Sequence, residues 1–323
     1  MESRWKDLEY VLVTPARNEE QFIEKTIQSM VAQTVLPRRW VIVNDGSTDR
    51  TGEIVRRYSS RYNWIELVNV PEHTDRQFAA KVHSFNAGYS RLGDLEYDII
   101  GNVDADVSFD PDYFEFLLDK FRDDSQLGVT GTPFVEGEKL VYDHGYMDQS
   151  HVSGACQLFR RECFEQIGGY TPIKGGGIDW AAVTTAKMMG WQTRTFTQRF
   201  FRHHRQMGTG NGGFLMSRFR HGVKDYYLGG HPLWQLFRCC FQMTRRPYVI
   251  GGLFLFLGYM NGFVTRMEQP LSRDLMRFHR AEQMERLRSI LKKVFLRKAV
   301  RAQQMGNETK SVEGACEYDK SNN

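Results

Sequence analysis

The 323-residue chain lacks most of what would mark it as secreted, metal-knotted or membrane-threaded. Its opening, Met1-Glu2-Ser3-Arg4-Trp5-Lys6-Asp7, has no apolar core and does not read as a secretory signal. The five cysteines (156, 163, 239, 240, 316) have no zinc-type spacing and build no disulfide framework, which points to a reducing cytosol. A net charge of +4 is too small to argue for a nucleic-acid partner. No internal repeat is present. The uncharged stretch Tyr248–Val264 would make a helix of about 25 Å against a hydrocarbon core of about 30 Å, so it is short for a span. The remaining composition is ordinary for a soluble protein, and the length permits one large domain or two smaller ones. A fold of this mass buries roughly 75% of its unfolded surface, enough for a full core.

What is present is a regular alternation. Tyr10–Val13, Trp40–Val43, Ile65–Val70 and Tyr97–Val103 read as short buried strands. Between them, Phe22, Ile23, Ile27, Met30 and Val31 keep helical spacing behind a cap at Asn18 or a neighbour, and helices follow over Thr51–Tyr58 and Phe78–Tyr89. Strand and helix at this rhythm predict an α/β fold: a mostly parallel sheet with helices on its faces.

The stretch Asn102-Val103-Asp104-Ala105-Asp106 carries the most chemistry. Two carboxylates one residue apart at a strand's carboxyl end need a positive partner, and ligands of open α/β sheets bind at that end. A divalent magnesium or manganese ion carrying a diphosphate fits; a solvated loop or a cap is the bland alternative. Asp45, in the turn Asn44-Asp45-Gly46-Ser47-Thr48-Asp49, is equally an Asx-turn or an acceptor for a nucleobase N–H, and Asp49 is the better cap. Arg17 suits phosphate, or merely Glu19 or Glu20. Lys81 lies on a helix, where a solvated face is the common use. Asp179 stands at the start of the helix Ala181–Met189, as an N-cap or as a carboxylate held by the helix dipole. Arg194–His204 alternates as a strand, which turns His203 and Arg205 one way and His204 the other.

Val11–Glu20, Val41–Asp49 and Asp104-Ala105-Asp106, in that order and at those distances, resemble family-2 glycosyltransferases, and Gly154–Tyr170 is similar to the family's acceptor-side segment. The resemblance covers roughly residues 8–210 and implies a GT-A fold, a Rossmann-like sheet that transfers sugar from a nucleotide-sugar with inversion. It implies that Pro15, Arg17 and Glu19 line the nucleotide pocket and that Asp45 reads the base, commonly uracil. Asp104 would contact ribose or metal and Asp106 would ligate the Mn2+ or Mg2+ ion. Lys81 and Asn86 lie where the family has a donor-binding helix start. The family places its catalytic base, usually as Glu-Asp, where this chain has Ile178-Asp179, so Asp179 is the expected general base. His203 is the expected further metal ligand, His204 the second choice, and Arg205 the phosphate contact. No Gln-x-x-Arg-Trp follows the base, which implies single addition rather than processive polymerisation.

Gly208–Gly213 satisfies G-x-G-x-x-G, but a dinucleotide fingerprint belongs to the first strand–turn–helix, so this is a loop. The last third differs in kind. Pro232–Phe241 places Leu233, Trp234, Leu236, Phe237, Cys240 and Phe241 on one helical face; Tyr248–Val264 is apolar; and basic residues from Arg266 to Arg301 outnumber acids. Together these predict peripheral contact of residues 231–301 with an anionic cytoplasmic leaflet, the alternative being a helical hairpin packed on protein. The expected organisation is a catalytic domain over 1–213, a helical extension over 214–302 and a disordered tail over 303–323. The expected acceptor is a hydroxyl of a glycan or lipid-linked saccharide, and the expected location is cytoplasmic, on the inner face of the cell membrane. The rival reading is a catalytically silent relative serving as a membrane-bound scaffold.

Overall fold

The computed structural model describes residues 8–71, 78–141, 149–205 and 213–293. The chain divides into two compact units, residues 1–211 and 212–323. The first unit runs β1 (Tyr10–Ala16), α1 (Ile23–Val31), β2 (Arg39–Asp45), α2 (Thr51–Ser59), β3 (Ile65–Val70), α3 (Phe78–Ser90), β4 (Ile99–Val103), β5 (Val107–Ser108) and α4 (Tyr113–Asp123). It continues through β6 (Leu127–Gly131), β7 (Phe134–Glu136), β8 (Lys139–Val141), β9 (Cys156–Arg160), α5 (Arg161–Gln166), α6 (Ile178–Met188), β10 (Gln192–Thr195) and β11 (Phe201–His203).

Seven strands form one sheet in the order β10-β6-β9-β4-β1-β2-β3. The pairs β1–β2, β1–β4, β2–β3 and β6–β10 are parallel, and β9 alone runs against both its neighbours. This is the mostly parallel sheet flanked by helices that the sequence rhythm predicts. Strands such as Ile99–Val103 are buried along their whole length, which is why they read as continuous rather than alternating apolar runs. Tyr10 stacks on Phe114 at 5.3 Å between centroids and donates its hydroxyl to Val35 O at 2.8 Å, and the Trp40 indole donates to Thr14 Oγ1 at 2.9 Å, so the polar edges of both rings are satisfied.

A second sheet, β5-β11-β7-β8, is built from strands of two or three residues. It corrects one expectation: Arg194–His204 is two strands, not one. β10 pairs with β6 in the large sheet and β11 with β5 and β7 in the small one, so the chain must break between them. A second correction concerns Asn18. Helix α1 begins at Ile23 with Phe22 at its N-cap and no side-chain capping bond. Asn18 instead adopts φ 55° and serves another loop.

The second unit contains α7 (Phe214–Tyr227), α8 (Pro232–Met243), α9 (Ile250–Val264) and helical residues 273–293. The expected single apolar face of α8 is divided: Trp234 is buried, whereas Leu233 and Leu236 are more than half exposed. The loop expected over 208–213 lies almost wholly, and the tail over 303–323 entirely, outside the described residues.

Close packing of α3 on the sheet yields a direct test. A Cβ at Gly88 would lie 2.6 Å from Val13 Cγ1 and 2.8 Å from Val43 Cγ2. Gly88→Ala is therefore expected to destabilise the protein by about 1–3 kcal/mol, despite alanine's better helix propensity. Urea unfolding measures it, and an unchanged or raised midpoint would contradict the packing described.

Candidate active site

Because β1, β2 and β4 are parallel, the residues after them emerge along one edge of the sheet. Arg17 and Glu19 follow β1, Asp45 ends β2 and Asp104 follows β4. Pro15, in β1, sits in register with Val43, and Asp45 is buried. The first two loops are tied together. Asn18 N–H donates to Ser47 Oγ at 3.0 Å, Thr48 N–H to Asn18 Oδ1 at 2.9 Å, and Glu19 N–H to Thr51 Oγ1 at 2.8 Å. Asp49 accepts from Glu20 N–H at 3.0 Å and Thr51 N–H at 2.9 Å. Burial would raise the Asp49 carboxyl, but the Thr51 hydroxyl and these N–H groups outweigh it and lower its pKa. Asp49 is thus a structural tie.

The antiparallel strand β9 brings a second set of groups to Asp104. Its register puts Gln157 opposite Asn102 and Cys156 opposite Val103, so Asp104 N–H donates to Ala155 O at 2.9 Å. From α3, Lys81 Nζ reaches Asp104 Oδ1 at 2.5 Å. Burial would lower the Lys81 pKa, but Asp104 first, then Asp179 and Asp106, raise it. One ammonium therefore feels three carboxylates. Asn86, on the same helix, is exposed and roughly 140° round the axis from Lys81. Cys156 is buried, and burial pushes its thiol up to about 12, which leaves no thiolate nucleophile here.

The small sheet supplies the opposite wall. In β11, His203 stands opposite Val107 of β5 and in register with Glu136 of β7. Its Nδ1 lies 2.5 Å from the Arg205 carbonyl oxygen, an acceptor only, so Nδ1 carries the proton. Its Nε2 then faces Asp106 Oδ1 at 3.6 Å. An imidazole nitrogen facing a buried carboxylate is a donor set that fits a divalent cation. Among the described residues no three His, Cys, Asp or Glu side chains gather closely enough to hold a metal ion, so the candidate donor set is His203 and Asp106. His204 goes the other way: its Nε2 meets Ser108 Oγ at 2.9 Å and its ring stacks on Phe22. Burial and then Lys25 lower its pKa.

Arg205 bridges the two walls, with Nε 3.2 Å from Asp106 Oδ2 and Nη2 2.5 Å from Glu19 Oε2. Glu19 is nonetheless pushed up to about 7, by burial first and by Asp106 and Asp104, against the Arg205 bond. Glu20 pairs with Arg50 instead, at 3.6 Å.

Asp179 enters from α6. Gly177, in a left-handed conformation at φ 96°, turns the chain into that helix and sets Asp179 in its first turn. The Asp179 side chain packs on Gly154 so closely that a Cβ there would lie 2.6 Å from Oδ2. Beneath it Gln157, fully buried, donates from Nε2 to Val152 O at 3.0 Å and to Asp179 O at 3.5 Å, and accepts from the Tyr170 hydroxyl at 2.9 Å. Sequence reasoning assigned no individual role to Gln157, Tyr170 and Gly154, which lie in the segment likened to the acceptor side, to Asn102 in the carboxylate stretch, or to Glu136. The available signal was a polar residue inside an apolar strand, as at Gln157 and Asn102. Asn102 Nδ2 donates to Gly154 O at 2.8 Å, and its buried Oδ1 has no partner among the described residues.

Residues 11–148 match the family model described as glycosyl transferase family 2. Over 125 residues the chain is 28% identical to a poly-beta-1,6-N-acetyl-D-glucosamine synthase of Staphylococcus aureus, covering 38% of this chain and 28% of that one. It is 28% identical over 197 residues to a 4,4'-diaponeurosporenoate glycosyltransferase of the same organism, covering 54% and 50%. The chain thus spans about a quarter to a half of the length of the curated relatives it matches. A mannosyltransferase, PcManGT from Pyrobaculum calidifontis, solved in complex with GDP-Man and Mn2+, shares the fold with a TM-score of 0.52 at 16% identity, covering 90% of this chain and 88% of that one.

Glu19 gives a pH test. Its folded pKa, about 7, lies above the ordinary value of 4.5, so the folded state binds more protons between those values. Its contribution is most favourable below about 4.5 and falls as pH rises through about 7, by up to about 3 kcal/mol. The stability of wild type relative to Glu19→Gln should decline by that order from pH 4.5 to 7. A flat difference would place Glu19 in water.

Proposed function

We propose that the chain, whose residues 11–148 match the glycosyl transferase family 2 model, moves a sugar from a nucleotide-sugar, UDP-linked, to a hydroxyl of a glycan or lipid-linked saccharide, inverting the anomeric carbon. The observation that carries the reading is the gathering of Asp104, Asp106 and Asp179 round Lys81 at the carboxyl edge of the sheet. Glu19 adds a fourth carboxylate, and Lys81 and Arg205 are the cations bonded to the group. Such a site favours a divalent ion together with the diphosphate it accompanies.

Asp179 would act as general base, taking the acceptor hydroxyl's proton as that oxygen attacks the anomeric carbon. Its backbone is held by Gln157 and its side chain is seated on Gly154, which fixes where the proton goes. Asp106 and His203, with Asp104 beside them, would hold a Mn2+ or Mg2+ ion, whose charge neutralises the leaving diphosphate. Arg205, bonded here to Asp106 and Glu19, would turn to phosphate oxygens once donor enters. Asp45 would accept from the base, with Pro15 and Arg17 along the nucleotide. Attack and departure take place on opposite sides of the sugar, so the base and the phosphate-binding groups must come from different walls. Asp179 on α6 and Arg205 after β11 come from separate elements, which supports that division of roles.

Single addition, at the inner face of a membrane contacted through residues 231–301, completes the proposal. A saccharide acceptor on a lipid would suit such a location. A silent scaffold has no use for a carboxylate cluster that must be offset by two bonded cations.

Thermal melting with a panel of nucleoside diphosphates, with and without manganese, tests the reading. A manganese-dependent rise in Tm with UDP, absent in Asp106→Ala, is expected. Asp179→Asn should keep that stabilisation and lose about 10²–10⁴-fold in kcat. No shift with any nucleotide would sink the reading and favour the scaffold; a shift with GDP alone would reassign the donor.

A further inference from the structure

Helix α9 is built inside out. Its small residues point into the unit: a Cβ at Gly258 would lie 2.0 Å from Phe219 O of α7, and one at Gly252 2.3 Å from Cys239 O of α8. Leu255 and Tyr259 are buried with them, whereas the other large apolar residues Ile250, Leu253, Phe256, Leu257, Phe263 and Val264 are 37–73% exposed. Their spacing of three, four and seven residues puts them on one continuous face. Such a helix ordinarily turns that face to the core, and a contiguous exposed patch of this kind marks an interaction surface.

Charge selects the partner. Between Asp225 and Glu268 the chain has no acidic residue, while exposed Arg245 and Arg246 precede α9 and exposed Arg266 follows it. In a two-fold contact with a second copy, arginines at the two ends would meet one another with no carboxylate in the segment to pair them. Anionic headgroups above an acyl boundary match both features. Fifteen helical residues span about 22 Å, less than the hydrocarbon core, and no described helix is long and apolar enough to cross a membrane. We infer that α9 lies flat in the interface of an anionic bilayer, its apolar face in the acyl boundary and its flanking arginines among the headgroups. This deepens the membrane side of the proposed function by naming the face and the lipid class.

The experiment is flotation of the full chain with phosphatidylcholine vesicles, with or without phosphatidylglycerol. Wild type should float with the mixed vesicles and far less with the neutral ones. Phe256→Glu with Leu257→Glu, both at exposed positions, should cut binding by about tenfold or more. Arg245→Gln with Arg246→Gln should weaken the preference for phosphatidylglycerol. Absence of flotation, or flotation unchanged by the glutamates, would overturn the inference. So would a lipid-free dimer that the glutamates dissociate, since a second copy would then cover the face. Nucleotide stabilisation, measured in parallel, separates the two readings: vesicle binding without it leaves the lipid surface standing and removes the transferase, and the converse result does the opposite.

Discussion

The constraint on which the first unit depends is the cost of holding carboxylates together. Glu19, Asp179 and the pair Asp104 and Asp106 come from three different parts of the chain, and like charges brought together repel strongly in a partly buried site. The elevated pKa of Glu19 expresses that repulsion on top of burial. Lys81 and Arg205 offset it, and their positions explain otherwise odd features of the architecture. α3 must pack against β1 and β2 tightly enough to need glycine at 88, and that docking is what delivers Lys81 to Asp104. The small sheet has little core of its own, yet its pairing of β5 with β11 is what sets Asp106 beside His203 and Arg205.

The single reversed strand of the main sheet has the same logic. A parallel strand at that position would bring its carboxyl end to the site. β9, running the other way, brings the segment before it, Val152–Ala155, to Asp104, and its own Gln157 beneath Asp179. A buried amide bonded to two carbonyls and a tyrosine hydroxyl is costly to leave unsatisfied and is therefore a stiff support. Stiffness is what a general base requires, because its proton acceptor must stay within hydrogen-bond reach of the hydroxyl.

The sequence made much of this legible, for physical reasons. Parallel strands buried on both faces read as unbroken apolar runs, and Ile65–Val70 has the bounds its composition indicates. Acids placed just after such runs fall along one edge because the strands are parallel, so Asp45 and Asp104 could be found without coordinates. Less local features could not. Strands of two or three residues are too short to repeat even the two-residue strand period, which hid the small sheet and made Arg194–His204 look continuous. Asn18 looks like a helix cap because Asn is a good one. Its actual bonds go to Ser47 and Thr48, about thirty residues away, and local pattern carries no trace of them. Lys81 on a helix is ambiguous until the helix's rotation about its axis is known, and Asn86 shows how much that rotation decides.

The second unit inverts the usual reading of glycine. In sequence, the glycines of Tyr248–Val264 weaken a helix, since each lowers propensity by up to about 1 kcal/mol. In the structure they are the contact surface: backbones of α7, α8 and α9 approach to distances that no side chain could occupy. Packing of that kind returns what propensity loses through dispersion and close carbonyl contacts, as it does between helices in lipid, where burial of large apolar groups gives no advantage. It also has a consequence for the opposite face. A helix that gives its glycines, together with Leu255 and Tyr259, to its neighbours leaves its other large apolar residues to face outward. On α8, Leu233 and Leu236 are likewise exposed while Trp234 and Gln235 are buried. Both helices thus carry apolar side chains that packing within the unit leaves uncovered, which is where an interaction surface has to be sought.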